Sequence, residues 1–89
     1  MIVRFFAFIR DYTGAKETSA EACTDLREFL DRLCIRYGAR LRARLFTEDR
    51  LSDDIIILVN GRHIDHLNGL DTQLGENDEI CIFPRVAGG

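Results

Sequence analysis

One segment limits the fold more than any other. Leu26, Phe29, Leu30, Leu33, Cys34 and Tyr37 recur at i, i+3, i+4, i+7, i+8 and i+11. That spacing is a single apolar stripe on an α-helix and predicts a helix over 25–37. Thr24 or Asp25 can cap its start, Asp25 and Glu28 stand at capping-box spacing, and Gly38 suits its stop. Burying six such side chains is worth roughly 10 kcal/mol as an upper estimate, before entropy. The chain has 89 residues, enough for one domain. The remaining elements must therefore wrap this helix.

Those elements read mostly as strands. Residues 2–10, IVRFFAFIR, are β-branched and aromatic without a breaker and read as one strand. Alternation puts Val3, Phe5, Ala7 and Ile9 toward the core, and Arg4, Phe6, Phe8 and Arg10 on the other face. Asp11 to Gly14 form a turn or short helical turn, and 16–22 a weak second strand. Residues 39–46 read as a short second helix with Leu41 and Leu45 on one side, followed by a polar loop over 48–54. The run IIILV at 55–59 reads as a central strand buried on both faces. Asn60-Gly61 signals a tight turn, and 62–65 return as a short strand. After a loop over 66–77, residues 79–84 make the last strand, closed by Pro84. Strands at both ends around one main helix indicate an α+β fold, a mixed sheet packed on that helix. The first and last strands are expected to pair in parallel at its centre.

Composition excludes several classes. The chain is 46% hydrophobic and 30% charged, too apolar for disorder, and no apolar run approaches the ~18 residues of a membrane span. The first ten residues lack the features of a signal peptide, so we read the chain as cytoplasmic. Cys23, Cys34 and Cys81 are odd in number and have no metal or disulfide spacing, so they read as reduced thiols. A net charge of −3 argues against nucleic acid as the main partner. Residues 31–50 nevertheless hold six arginines against three acids, whereas 51–80 hold one arginine against seven acids. We read the arginine cluster as a solvated helix side rather than a binding surface.

Little here could run a reaction unaided. Only Ser19 and Ser52 are serines, and there is no nucleophile elbow or phosphate-cradling glycine loop. His63 and His66 lack a third metal ligand by spacing. The terminal Gly88-Gly89 is different, since two closing glycines arise by chance about once in 200 chains. Without Cβ atoms they can pass through a narrow channel. Residues 85–89, read as a flexible tail beyond the domain at 1–84, span roughly 17 Å when extended.

Read together, VRFFAFIRDYTGA, DLREFLDRL, ILVNGRHI and GLDTQLGENDEICIFPRVAGG resemble the MoaD/ThiS family of ubiquitin-like sulfur carriers along the whole chain. Within that family they are most similar to the small subunit of molybdopterin synthase. Arg85, where many relatives carry a second proline, and the GEND turn at 75–78 depart from the family pattern. The resemblance implies a β-grasp fold and a site consisting of the chain end. A ubiquitin-activating-type partner enzyme adenylates Gly89 with ATP, and a persulfide sulfur donor converts it to a thiocarboxylate. The large subunit of molybdopterin synthase then takes the tail and the sulfur is used for the molybdenum cofactor. The resemblance implies that Gly88 and Gly89 are the reactive end and that the carrier holds no permanent cofactor and no metal. Thiamin or sulfur amino acid synthesis, a protein-modifier role and a plain β-grasp binding module are the alternatives.

The docking surface follows from strand alternation. If Ile80 and Ile82 point inward, Cys81 and Phe83 point outward. Phe6 and Phe8, on the non-core face of the first strand, are expected with Phe83 in partner binding; with the end strands adjacent, Phe6 and Phe83 form an exposed apolar patch at the root of the tail, and such patches mark interfaces. The alternative is that segment 39–46 covers them. The resemblance adds His63 to this partner-binding face, together with Pro84, Arg85, Val86 and Ala87 leading to the glycines.

Overall fold

The computed structural model describes residues 1–85. Its elements run β1 (Ile2–Phe5), α1 (Ile9–Thr13), β2 (Glu17–Ser19), α2 (Leu26–Tyr37), α3 (Ala39–Leu45), β3 (Phe46–Thr47), β4 (Arg50–Leu51), β5 (Ile55–Val59), β6 (Arg62–His63) and β7 (Glu79–Pro84). Two 3-10 turns, Ile64–His66 and Gly69–Asp71, occupy the connection before β7. The main sheet has the order β2-β1-β7-β5-β6. β1 and β7 pair in parallel at its centre, as expected, and the other pairings are antiparallel.

α2 forms where the stripe places it. Asp25 accepts the Glu28 backbone N–H at 2.9 Å, and the Glu28 carboxylate reaches back to the Thr24 N–H at 3.0 Å. At the other end the Gly38 N–H donates to the Cys34 carbonyl, with the glycine at φ 106°. Leu26, Phe29, Leu30, Leu33 and Cys34 are buried. They meet Val3, Phe5, Ile57, Ile80 and Ile82 of the sheet's inner face, each fully enclosed. α3 adds Leu41 and Leu45, also fully enclosed.

Several sequence expectations change. The short strand expected over 62–65 ends at His63, because Ile64 to His66 close a 3-10 turn that buries Ile64. The strand expected over 2–10 stops at Phe5, because Ala7 takes φ 51° and the chain coils. Ile9, Arg10 and Asp11 then donate to the carbonyls three residues earlier. Ile9 is still buried, but by the turn of α1 rather than by strand alternation, and Ala7 is exposed. The polar loop over 48–54 contains part of a small separate hairpin, β3 with β4. β5 is not buried on both faces. It lies between β7 and the edge strand β6, with Ile55, Ile57 and Val59 inward and Ile56 and Leu58 only half-covered.

Candidate functional site

The sheet has one face on α2 and one face open, and pairing register decides what the open face carries. Arg4 stands opposite Cys81, Cys81 opposite Leu58, and Leu58 opposite His63, so these four form one row across the sheet. The next row begins with Phe83 opposite Ile56. Phe6 extends that row, because its N–H donates to the Ile82 carbonyl and its ring meets Phe83 edge-on at 5.0 Å. The Arg10 guanidinium lies 5.7 Å from the Phe6 ring centre and is held by its Nε on the Phe5 carbonyl. The result is a half-exposed apolar patch of Phe6, Phe83, Ile56 and Leu58, edged by His63 and Arg10.

Of the expected face residues, Phe6, Phe83 and His63 come together on this surface. His63 Nδ1 accepts the Asp65 N–H at 3.0 Å, which fixes the ring. Phe8 does not belong there. It precedes α1 instead of extending β1, and its ring lies under the Arg44 guanidinium at 4.4 Å, with Tyr12 beyond. Segment 39–46 thus covers Phe8, through Arg44. Ile56 and Leu58 join the patch only in the structure, because an unbroken apolar run does not tell which of its faces lies open.

Pro84 ends β7 opposite Ile55, and Arg85 is the last described residue. Its N–H donates to the Asp54 carbonyl and its Nε to the Asp53 carbonyl at 2.9 Å. The pairing with the Asp54 side therefore continues one residue beyond the strand, where a proline would lack the donor. Val86 and Ala87, expected on the partner-binding face, and Gly88 and Gly89, expected as the reactive end, lie outside the described residues.

Cys81 sits within the open face, and its thiol titrates above its usual range. Partial burial is the main cause, and the neighbouring Glu79 carboxylate, on which the thiol donates, adds to it. A thiol kept protonated is a weak nucleophile. Burial likewise raises Cys23 and Cys34. Among the described residues no three His, Cys, Asp or Glu side chains are placed to hold a metal ion, and no helix is long and apolar enough to cross a membrane.

The ThiS family pattern matches residues 3–89, nearly the whole chain and both terminal glycines. The chain belongs to the ThiS family. The small archaeal modifier protein 3 of Haloferax volcanii is 34% identical over 89 residues, covering 98% of this chain and 96% of that protein. Among solved structures, the Amycolatopsis orientalis BexX/CysO complex contains a chain that superposes with a TM-score of 0.87 at 30% identity, covering 99% of this chain and 98% of that one. The small archaeal modifier protein 1 of Methanosarcina acetivorans gives 0.84 at 34% identity, over 99% and 94%. This ThiS-family chain is thus a β-grasp, ubiquitin-like protein of the sulfur-carrier family, as its sequence pattern implied.

Proposed function

We propose that this chain carries sulfur as a thiocarboxylate on Gly89 and delivers it as the small subunit of a molybdopterin synthase. The observation that supports this reading is the open apolar face, which lies on the strand leading into the glycine tail. A partner that covers Phe6, Phe83, Ile56 and Leu58 has the start of the tail beside it.

The chemistry is carried by partners. A carboxylate is a poor electrophile, since its charge is delocalised and its leaving group would be oxide. On a ubiquitin-activating-type enzyme a Gly89 oxygen attacks the α-phosphorus of ATP and pyrophosphate leaves. The terminal sulfur of a persulfide then attacks the acyl carbon and AMP leaves. A second donor thiol cleaves the resulting acyl disulfide, forming a donor disulfide and freeing the thiocarboxylate. On the large synthase subunit that sulfur attacks an oxygen-bearing carbon of the pterin precursor and displaces its oxygen, and water then hydrolyses the resulting thioester, leaving the sulfur on the pterin and Gly89 as a carboxylate. This chain contributes the sulfur-bearing end and the docking face, and ATP is used on the partner.

A second reading is supported by the two relatives named as archaeal modifiers. In it the activated Gly89 is joined to an amine of another protein. Intact mass of the untagged protein, incubated with ATP, a persulfide donor and the activating enzyme of its own cell, tests the shared step. Exchange of one oxygen for sulfur at Gly89 supports carrier chemistry, and an unchanged mass overturns it. Conversion of a pterin precursor by the thiocarboxylate with the large subunit then supports the synthase reading. Isopeptide conjugates without such conversion support the modifier reading.

A further inference from the structure

β2 is the edge of the main sheet on the side away from β6, and its hydrogen bonding shows which backbone groups are unused. Met1 and Ala20 exchange both N–H···O bonds, and the Phe5 N–H donates to the Lys16 carbonyl. In an antiparallel ladder bonded pairs alternate with non-bonded pairs. Ile2 opposite Ser19 and Arg4 opposite Glu17 are therefore the non-bonded pairs. The N–H and C=O groups of Glu17 and Ser19 consequently point away from β1, toward the free edge. An independent contact agrees, since the Ser19 carbonyl accepts a long 3.4 Å bond from Arg36 of α2 across that edge.

Beside this edge lies a groove of about 270 Å³ between β2 and α2. Ala20, Cys23, Phe29 and Leu33 form its apolar floor, and Arg32 and Arg36 border it from one helix face. The two arginines differ. Arg32 is tied to Glu28 at 2.8 Å, whereas Arg36 has no carboxylate within ion-pair distance among the described residues. Glu21 also borders the groove, and its backbone carbonyl accepts the Cys23 thiol. The uncompensated positive charge is at the Arg36 end, beside Ser19. Next to it on α2 is Ile35, 80% exposed.

We infer that this edge and groove dock an extended segment of a partner protein, in which an apolar residue is followed by acidic ones. The segment adds a strand to β2 through the outward groups of Glu17 and Ser19. An apolar side chain enters the groove, and a carboxylate meets Arg36 and replaces its long bond to Ser19. Main-chain bonding supplies affinity in such strand addition, and the pocket and charge supply selectivity. The groove lies on the α2 side of the sheet and the Phe6–Phe83 patch on its other face, so one partner can hold β2 while another holds the tail.

The test is an amide NMR titration of the full chain with a synthetic peptide of alternating valine and isoleucine followed by three aspartates. A control peptide has lysines in place of the aspartates. The amides of Glu17 and Ser19 should gain exchange protection on addition of the acidic peptide, while Thr18, bonded to β1 already, should not. Ser19→Pro removes an outward N–H without breaking the ladder to β1, and Arg36→Glu reverses the charge. Each should weaken binding about ten-fold or more, as should the lysine peptide. Any of three results would overturn the inference: no saturable binding, perturbations centred on Phe83 or β6, or Glu17 and Ser19 already protected in a concentration-dependent way. The last would mean that a second copy of the chain occupies the edge. Because Arg36→Glu changes only an exposed side chain, it decides the matter even if Ser19→Pro fails to fold.

Discussion

Replacing Phe83 by serine separates docking from folding. The Phe83 ring is partly exposed and meets the Phe6 ring edge-on at 5.0 Å. Such an aromatic pair is worth about 1 kcal/mol beyond its area. Losing the covered part of this phenylalanine, most of the side chain, costs about another 1–2 kcal/mol. The total, about 2–3 kcal/mol, is inside the stability of a typical domain. For a chain of this size it lowers Tm by about 10–20 °C and leaves the protein folded at room temperature. In the complex the same ring would be an aromatic anchor at the centre of the interface. Its truncation there costs at least about 2 kcal/mol, which is roughly thirty-fold in Kd. Calorimetric titration of the activating enzyme with wild type and Phe83→Ser reads the second quantity, and a thermal melt reads the first. A folded variant that binds with unchanged Kd refutes the docking face. A variant that no longer folds refutes the partition, because Phe83 would then be core.

Two further outcomes check the fold. Leu30→Ala empties a fully enclosed site beneath the sheet and should cost about 2–5 kcal/mol in urea unfolding, and a loss below about 1 kcal/mol would show that α2 is not the main plug of the core. Asp78 accepts from Asn60 Nδ2 at 2.8 Å and from the Gly75 N–H at 2.7 Å, and these bonds hold its carboxyl below its ordinary value of 3.8. A lowered folded pKa stabilises above the unfolded pKa and is lost as pH falls through the folded one. Wild type should therefore exceed Asp78→Asn in urea midpoint at neutral pH, with the gap closing below pH 3.8, and a gap that persists in acid would contradict this account.

Some features of this protein follow from local sequence alone. α2, its caps and its buried stripe are set by spacing within a few turns, where side chains three and four apart share a face whatever surrounds them. The turn at Asn60-Gly61, with φ 52° and 83°, follows from two residues that tolerate the left-handed region. The family pattern, glycine end included, is also legible as letters. Other features needed the tertiary structure. Nothing in IVRFFAFIR marks Phe5 as the end of a strand, because every residue there suits one. The chain coils at Ala7 to bring β2 back along β1 and to seat Ile9 under α3. That reversal carries Phe8 away from the docking face. IIILV is equally apolar on both sides, so only its position between β7 and a two-residue edge strand shows that Ile56 and Leu58 lie open beside Phe83. The unused backbone groups of Glu17 and Ser19 come from the phase of a ladder between distant segments, which no local pattern encodes. Periodicity determines which residues share a face. Only packing determines which of two apolar faces is covered, because that depends on neighbours supplied from elsewhere in the chain.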